Sequence, residues 1–267
     1  MQTLNDRTAI VTGAGSGIGA GIASVLAVEG ATVVVADLDG DRAATTAAAI
    51  EHEGGRAVVC AGDVSRDADV RRLVQTAVDT TGRVDILASN AGIYPTASIE
   101  ETTEELWDRV MTVNTKASWL LMRAVAPTMR GQRYGRIVVT SSVTGPRTAM
   151  AGLSHYAASK AALMGLVRAA ALELAADGVT VNAVLPGTVD TEGLRASAGG
   201  TGFFEIMLPS IPLGRVAAPA DVGWAVRLLA SAEAGYITGQ GLIVDGGQSV
   251  SEGGTSNEQV EVLGNQT

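Results

Sequence analysis

Tyr156 and Lys160 stand four residues apart in the run Ser154-His155-Tyr156-Ala157-Ala158-Ser159-Lys160, with Ser142 upstream. Ala, Leu and Met crowd the stretch from Ala157 to Leu174, and Gly178 follows Asp177, so the spacing predicts a helix ended by glycine. Positions i and i+4 share a helix face, which would set the phenol and the ammonium side by side. An isolated tyrosine titrates near ~10 and is only about 0.1% ionised at neutral pH. A neighbouring cation favours the phenolate. Lowering the pKa to roughly 7, where a general base works best, takes about 4 kcal/mol. A partly buried ammonium, helped by a helix or cofactor charge, is a source of that size. Such a phenol could take a proton from an alcohol or give one to a ketone. Tyrosine and lysine meet at this spacing by chance on many helices, so the weight lies in the company they keep.

That company begins near the amino terminus. Thr8-Ala9-Ile10-Val11-Thr12 reads as a buried strand that runs into Gly13-Ala14-Gly15-Ser16-Gly17-Ile18-Gly19 and a helix to about Glu29. Strand, glycine turn and helix together make a dinucleotide-type loop, in which backbone N–H groups approach a pyrophosphate at the positive helix end. A second strand, Ala31 to Ala36, ends at Asp37, a carboxylate placed to accept from ribose hydroxyls and to repel a 2′-phosphate. Leu38 follows it, and Arg42 reads as a helix-surface cation. This points to NAD over NADP, although Asp37 could equally serve as a turn or cap residue. After a third strand, Arg56 to Cys60, Asp63-Val64 either meets the adenine or caps the helix expected from Ala68 to Thr80.

A fourth strand, Val84 to Ala88, leads to Ser89-Asn90-Ala91-Gly92, small residues that let the backbone lie against a cofactor. In the helix from Thr103 to about Met129, Asn114 sits among apolar neighbours, and an unpartnered buried amide is costly. It therefore satisfies a bent backbone, holds a water, or does both. A fifth strand, Gly135 to Thr140, delivers Ser141-Ser142 to the edge where parallel sheets bind ligands, although a helix cap is the plainer role for such a serine. The strand Thr180 to Val184 closes with Pro186-Gly187-Thr188-Val189-Asp190-Thr191. From Glu192 to about Arg215, glycines alternate with Phe203, Phe204, Ile206, Met207 and Leu208, as in a lid over an apolar substrate or an irregular loop with a short amphipathic helix. A helix from Ala220 to Ala230 and a strand from Gly241 to Val244 finish the pattern.

The expected architecture is α/β: a single doubly wound Rossmann-type domain, with a seven-stranded parallel sheet and helices on both faces. It would occupy residues 1–250, and the polar, glycine-rich stretch 251–267 reads as a tail. At 267 residues, 46% hydrophobic and with 33 glycines, the chain can bury a proper core. A net charge of −9 without a basic run argues against nucleic acid or an anionic membrane as partner. One cysteine and two histidines exclude an internal disulfide and a Cys- or His-rich metal site. No leader or membrane-length apolar run is evident, so a cytoplasmic location is expected.

With the glycine turn, Asn-Ala-Gly, Asn114, Ser142, Tyr156-x-x-x-Lys160 and Pro-Gly in this order, the sequence resembles the "classical" short-chain dehydrogenase/reductases over about residues 5–248. The resemblance implies a homotetramer and a catalytic tetrad of Asn114, Ser142, Tyr156 and Lys160. In it Tyr156 is the acid/base, and Lys160 lowers its pKa and holds the nicotinamide ribose. Ser142 orients the substrate oxygen and Asn114 anchors a relay water. It also implies cofactor contacts at Gly13, Ser16, Gly17, Ile18, Gly19, Asp37, Leu38, Asp63, Val64, Asn90, Ala91, Gly92, Tyr156, Lys160, Pro186, Gly187, Val189 and Thr191.

The pattern departs from the family at Ser89, at Thr115-Lys116-Ala117, and in one extra residue between Ser142 and Tyr156. Relatives that reduce 3-oxoacyl groups on acyl carrier protein tend to carry two arginines flanking the cleft; one place matches Arg133 here and the other is Asp177. That role ranks second to an NAD-linked dehydrogenase of an apolar or cyclic secondary alcohol. Thr144, Pro146, Met150, Leu153, His155, Val189, Phe203, Phe204 and Met207 are the pocket candidates. His155 is expected at the helix start facing solvent, or else as a donor to substrate. A non-catalytic dinucleotide-binding regulator is the remaining alternative.

Overall fold

The computed structural model describes residues 3–197 and 202–250. Apolar runs rich in Val, Ile and Ala supply the strands. β1 (Thr8–Thr12), β2 (Thr32–Asp37), β3 (Arg56–Ala61) and β4 (Ile86–Ser89) come from the first third of the chain. The helices between them are α1 (Gly17–Val28), α2 (Gly40–His52) and α3 (Asp67–Thr81). After β4 come α4 (Glu104–Met111) and α5 (Ala117–Gln132), joined by a π-helical turn at Thr112–Lys116, then β5 (Gly135–Thr140) and α6 (Ser154–Leu174). The chain then runs through β6 (Val179–Pro186), α7 (Glu192–Ser197), α8 (Gly202–Met207), α9 (Pro219–Ala230) and β7 (Gly241–Val244).

All neighbouring strands pair in parallel, in the order β3-β2-β1-β4-β5-β6-β7. Because the pleat alternates, each continuous apolar run feeds both faces. Ile10, Val34, Leu87, Ile137 and Val181 point to one side, where α3, α5 and α6 supply Leu73, Leu121, Met129, Leu163 and Val167. Ala9, Val11, Val33, Val35, Ile86 and Val138 point to the other, against Ile22 and Leu26 of α1, Ile50 of α2 and Val226 of α9. Truncating a fully buried member such as Leu87 or Ile137 to Ala would cost about 2–5 kcal/mol. This is the expected doubly wound architecture; β1, β5 and β7 have the limits read from sequence, and the other strands differ by one or two residues.

The amino edge of the sheet is closed by charge. Asp85, 0% exposed, accepts from Arg7 (3.0 Å), from Arg83 (2.6 Å) and from the Thr8 N–H (2.9 Å). The Arg7 guanidinium also lies 4.0 Å from the Tyr134 ring centre, and that of Arg136 4.4 Å from it. The strand order reverses between β1 and β4, and the carboxyl ends at such a switch are where open parallel sheets bind ligands.

The helix expected from Thr103 to Met129 is interrupted at Asn114 and continues to Gln132, where Arg133 ends it in a left-handed conformation (φ 54°). The stretch from Glu192 to Arg215 is more regular than expected, with two short helices and a 3₁₀ turn at Leu208–Ser210; Gly199 and Gly200 lie outside the described residues. The expected tail, 251–267, lies outside them too. No helix among the described residues is long and apolar enough to cross a membrane.

Candidate active site

The glycine turn joins β1 to α1 by close backbone packing. Gly13 has φ +62°, and a Cβ there would sit 2.9 Å from Ala91 Cα; a Cβ on Gly19 would sit 2.0 Å from the Gly13 carbonyl oxygen. Side chains would force the two central strands apart. Ser16, the N-cap of α1, makes no side-chain capping bond, so the first N–H groups of that helix remain available at the turn with Gly17 and Ile18. The Thr12 hydroxyl accepts from the N–H groups of Asn90 (3.0 Å) and Ala91 (3.2 Å), and Asn90 Nδ2 donates to the Thr12 carbonyl (3.1 Å). Thr12 thereby stitches β1 to β4 at the carboxyl edge.

The other loops at this edge converge on the turn. Asp37 accepts from the N–H groups of Gly15 (2.8 Å) and Asp39 (3.0 Å), with Leu38 exposed beside it. Arg42, read from sequence as a surface cation, also adjoins the turn: its Cβ would lie 2.7 Å from a Cβ on Gly15, and its guanidinium is 3.5 Å from Asp39. Asp63 is bound up in its own loop, accepting from the Ser65 N–H (2.9 Å) and hydroxyl (2.6 Å); Arg66, not Asp63, is the N-cap of α3. Val64 packs on the core. From β6, Pro186 and Gly187 lead to Val189, which is buried, and to Thr191, whose Cγ2 would lie 3.1 Å from a Cβ on Gly17. A cradle lined by main chain, with open helix N–H groups at one end and a carboxylate at the other, fits a dinucleotide.

Opposite the turn, side chains rather than backbone make the site. The π turn carries Asn114, whose Oδ1 accepts from the Ile93 N–H (2.8 Å) while Nδ2 donates to the Ile93 carbonyl (2.9 Å) and to Ser159 Oγ (3.0 Å). The amide satisfies a bent backbone, as one sequence reading had it. The Ser142 hydroxyl accepts from the Thr144 N–H (3.1 Å) and lies near enough to the Tyr156 phenol to lower its pKa. Lys160, one turn along α6, donates from Nζ to the Thr140 carbonyl (2.8 Å), and its Nζ is 5.7 Å from the Tyr156 ring centre. A Cβ on Gly92 would meet Asn114 Oδ1 at 3.2 Å and Lys160 Nζ at 3.5 Å, so the Asn-Ala-Gly loop lies directly on this cluster.

The electrostatics differ from the sequence expectation. Burial pushes the Tyr156 phenol above its usual value; the nearby Ser142 hydroxyl lowers it and neighbouring Tyr94 raises it. Burial lowers the pKa of Lys160 itself from 10.5 to about 8.

Comparison with known proteins identifies this arrangement. Residues 13–249 match a family model described as enoyl-(acyl carrier protein) reductase. An uncharacterized oxidoreductase of Thermotoga maritima is 39% identical, over 91% of this chain and 97% of its own length. The chain is a short-chain dehydrogenase/reductase. Galactitol 2-dehydrogenase of Agrobacterium fabrum is a further relative of this dehydrogenase/reductase, 37% identical over 93% of this chain and 99% of its own. Among solved structures, a Beutenbergia cavernae protein proposed to be an NAD(P)-dependent gluconate 5-dehydrogenase, with NADP bound at low occupancy, is 40% identical. It superposes with a TM-score of 0.86, covering 93% of this chain and 99% of that one.

Several sequence readings of this short-chain dehydrogenase/reductase need correction. His155 faces neither solvent nor substrate: it is 0% exposed, with Nε2 3.0 Å from the Pro95 carbonyl and Nδ1 without a partner. Helix α6 starts at Ser154, which turns position 155 inward under the 93–97 segment. Pro146 lines a cavity of about 570 Å³ with Met164, Arg168 and Gly241, on the β7 side of α6, and Met150 is exposed. Arg133 and Asp177 do not flank the cleft within this chain. They precede β5 and β6 at the amino edge, one strand length (roughly 20 Å) from Ser142, and they pair at 3.3 Å.

Sequence reasoning missed Thr12, Tyr94 and Gln248. Tyr94 meets the Tyr156 ring edge-on, with centroids 6.3 Å apart. Gln248 Oε1 accepts from the Thr188 N–H (3.0 Å), and its Nε2 donates to Ser210 Oγ (3.1 Å). An aromatic placed just after a strand's carboxyl end, in a chain with 3% aromatics, was the available signal for Tyr94.

Proposed function

We propose that the protein is an NAD(H)-dependent oxidoreductase that interconverts an apolar or cyclic secondary alcohol and its ketone. The observation that carries this reading is the grouping of the Ser142 hydroxyl, the Tyr156 phenol and buried Lys160, whose Nζ is 5.7 Å from the phenol ring centre, beside the dinucleotide cradle. In reduction Tyr156 gives its phenolic proton to the carbonyl oxygen, a role that suits a phenol whose pKa is raised; in oxidation the phenolate takes the proton back. Ser142 orients the substrate oxygen. Lys160 holds the nicotinamide ribose, and Asn114 fixes the Ile93 backbone and anchors a relay water. When bound, the nicotinamide supplies hydride transfer and, once oxidised, a positive charge near the phenol.

In this reading the turn Gly13–Gly19 takes the pyrophosphate, Asp37 and Leu38 the adenosine, and Asp63-Val64 the adenine. Asn90-Ala91-Gly92, Pro186-Gly187, Val189 and Thr191 border the nicotinamide half. Asp37 favours NAD because its carboxylate would meet a 2′-phosphate. The carrier-protein alternative ranks second: Arg133 is paired with Asp177 and sits at the far edge. The enzyme would act in the cytoplasm as a homotetramer, a state in keeping with exposed Trp119 on α5 and Leu172 on α6.

A panel of secondary alcohols and ketones assayed with NAD and NADH tests the proposal. Turnover of ring or apolar alcohols is expected. NADH binding without turnover of any compound would favour a non-catalytic regulator. NAD should be preferred over NADP, and Asp37→Ser should narrow that gap by about tenfold; a wild-type preference for NADPH would overturn the cofactor assignment.

A further inference from the structure

Tyr94 is fixed from both sides by residues other than itself. Asn114 holds Ile93 through its N–H and its carbonyl (2.8 and 2.9 Å), and His155 holds the Pro95 carbonyl (3.0 Å). Two residues further on, the Ala97 N–H donates to the Gly152 carbonyl (3.0 Å). Anchors on either flank fix where the Tyr94 ring leaves the backbone. This also gives buried His155 a use, as the residue that pins this segment to the start of α6.

The Tyr94 ring presents its edge to Tyr156, at an interplanar angle of 75°. Its hydroxyl lies against α7, where a Cβ on Gly193 would come within 2.7 Å of Tyr94 Oη. A side chain at 193 would have to push the Tyr94 hydroxyl aside. The phenol therefore fills the gap between the acid/base and the segment after β6.

We propose that Tyr94 is a specificity-determining residue, a fixed aromatic wall between Tyr156 and α7, with Gly193 as the position that lets α7 close on it. The inference rests on the alcohol–ketone reading above and deepens it. The wall restricts the carbinol substituent on that side to small or flat groups, and so selects compact ring alcohols over bulkier ones.

Two experiments test it. In the first, kcat/KM is measured for cyclohexanol and for the larger 1-tetralol. Tyr94→Phe keeps the ring and should leave their ratio within about threefold, whereas Tyr94→Ala should shift it toward 1-tetralol by about tenfold or more, through KM and with NADH affinity unchanged. An unshifted ratio in Tyr94→Ala overturns the proposal. The second needs no turnover. Gly193→Ala should lower the melting temperature of the NADH complex by several degrees, but by less than about one degree in a Tyr94→Phe background, where the offending oxygen is gone. Equal losses in both backgrounds overturn the contact. Absence of turnover with every alcohol refutes the activity reading, and the specificity role with it, while the melting cycle still decides whether Tyr94 and α7 meet.

Discussion

The two edges of the sheet each bury a charge, and they treat it differently. At the amino edge Asp85 is met by two guanidinium groups and a backbone N–H. At the carboxyl edge Lys160, only 4% exposed, has a neutral carbonyl for its ammonium, and burial pulls its pKa down to about 8. A buried ion whose partners are all present adds to stability, or at least costs little; one held by a carbonyl alone costs stability. The first edge is built for holding the fold, and the second keeps an underpartnered cation beside the proposed acid/base.

Three substitutions put that contrast to the test. The largest effect belongs to Tyr156→Phe, which should cut turnover by about a thousandfold or more while NADH binding and melting temperature stay near wild type. Near-normal turnover would remove the chemical purpose of the carboxyl edge. Lys160→Met comes next, read by urea unfolding across pH. Between about pH 8 and 10.5 the unfolded lysine keeps a proton that the folded one has given up, so wild-type stability rises with pH over that window. Below about pH 8 the penalty is fully present, on the order of 3 kcal/mol. The Met variant should lose this slope and be the more stable protein at neutral pH; an unchanged slope would mean that Lys160 bears no such penalty.

The smallest effect is expected from Asp85→Ala. It strips the partner from Arg7 and Arg83 and orphans the Thr8 N–H, at about 2 kcal/mol because the arginines still reach solvent. Activity per folded molecule should not change. A loss of turnover without a loss of stability would show the edges to be coupled.

Local pattern made much of this legible in the sequence. The glycine turn after a short apolar strand, the alternation of strands with helices, and Tyr156 one helical turn before Lys160 are all short-range signals, and each lies where its pattern put it. What escaped depends on contacts distant in sequence. Asn114 is clamped to Ile93, 21 residues away, and that clamp goes with a π turn that no helix propensity announces. His155 points inward because Pro95 offers a carbonyl, 60 residues away. The rise of the phenol's pKa comes from burial, which depends on the whole packed site and not on the spacing of two residues. Asp63, read as an adenine contact or a helix cap, instead turns one oxygen back on Ser65 and leaves the cap of α3 to Arg66.

Gln248 carries one more consequence. It joins Thr188, beside the cleft, to Ser210, from a position near the close of the described chain. The glycine turn follows the first strand and Gln248 follows the last one described, so all seven strands are synthesised before the tie between Thr188 and Ser210 can form. Shortening the gene to end at Asp245 would deliver a folded sheet with an unfastened cleft.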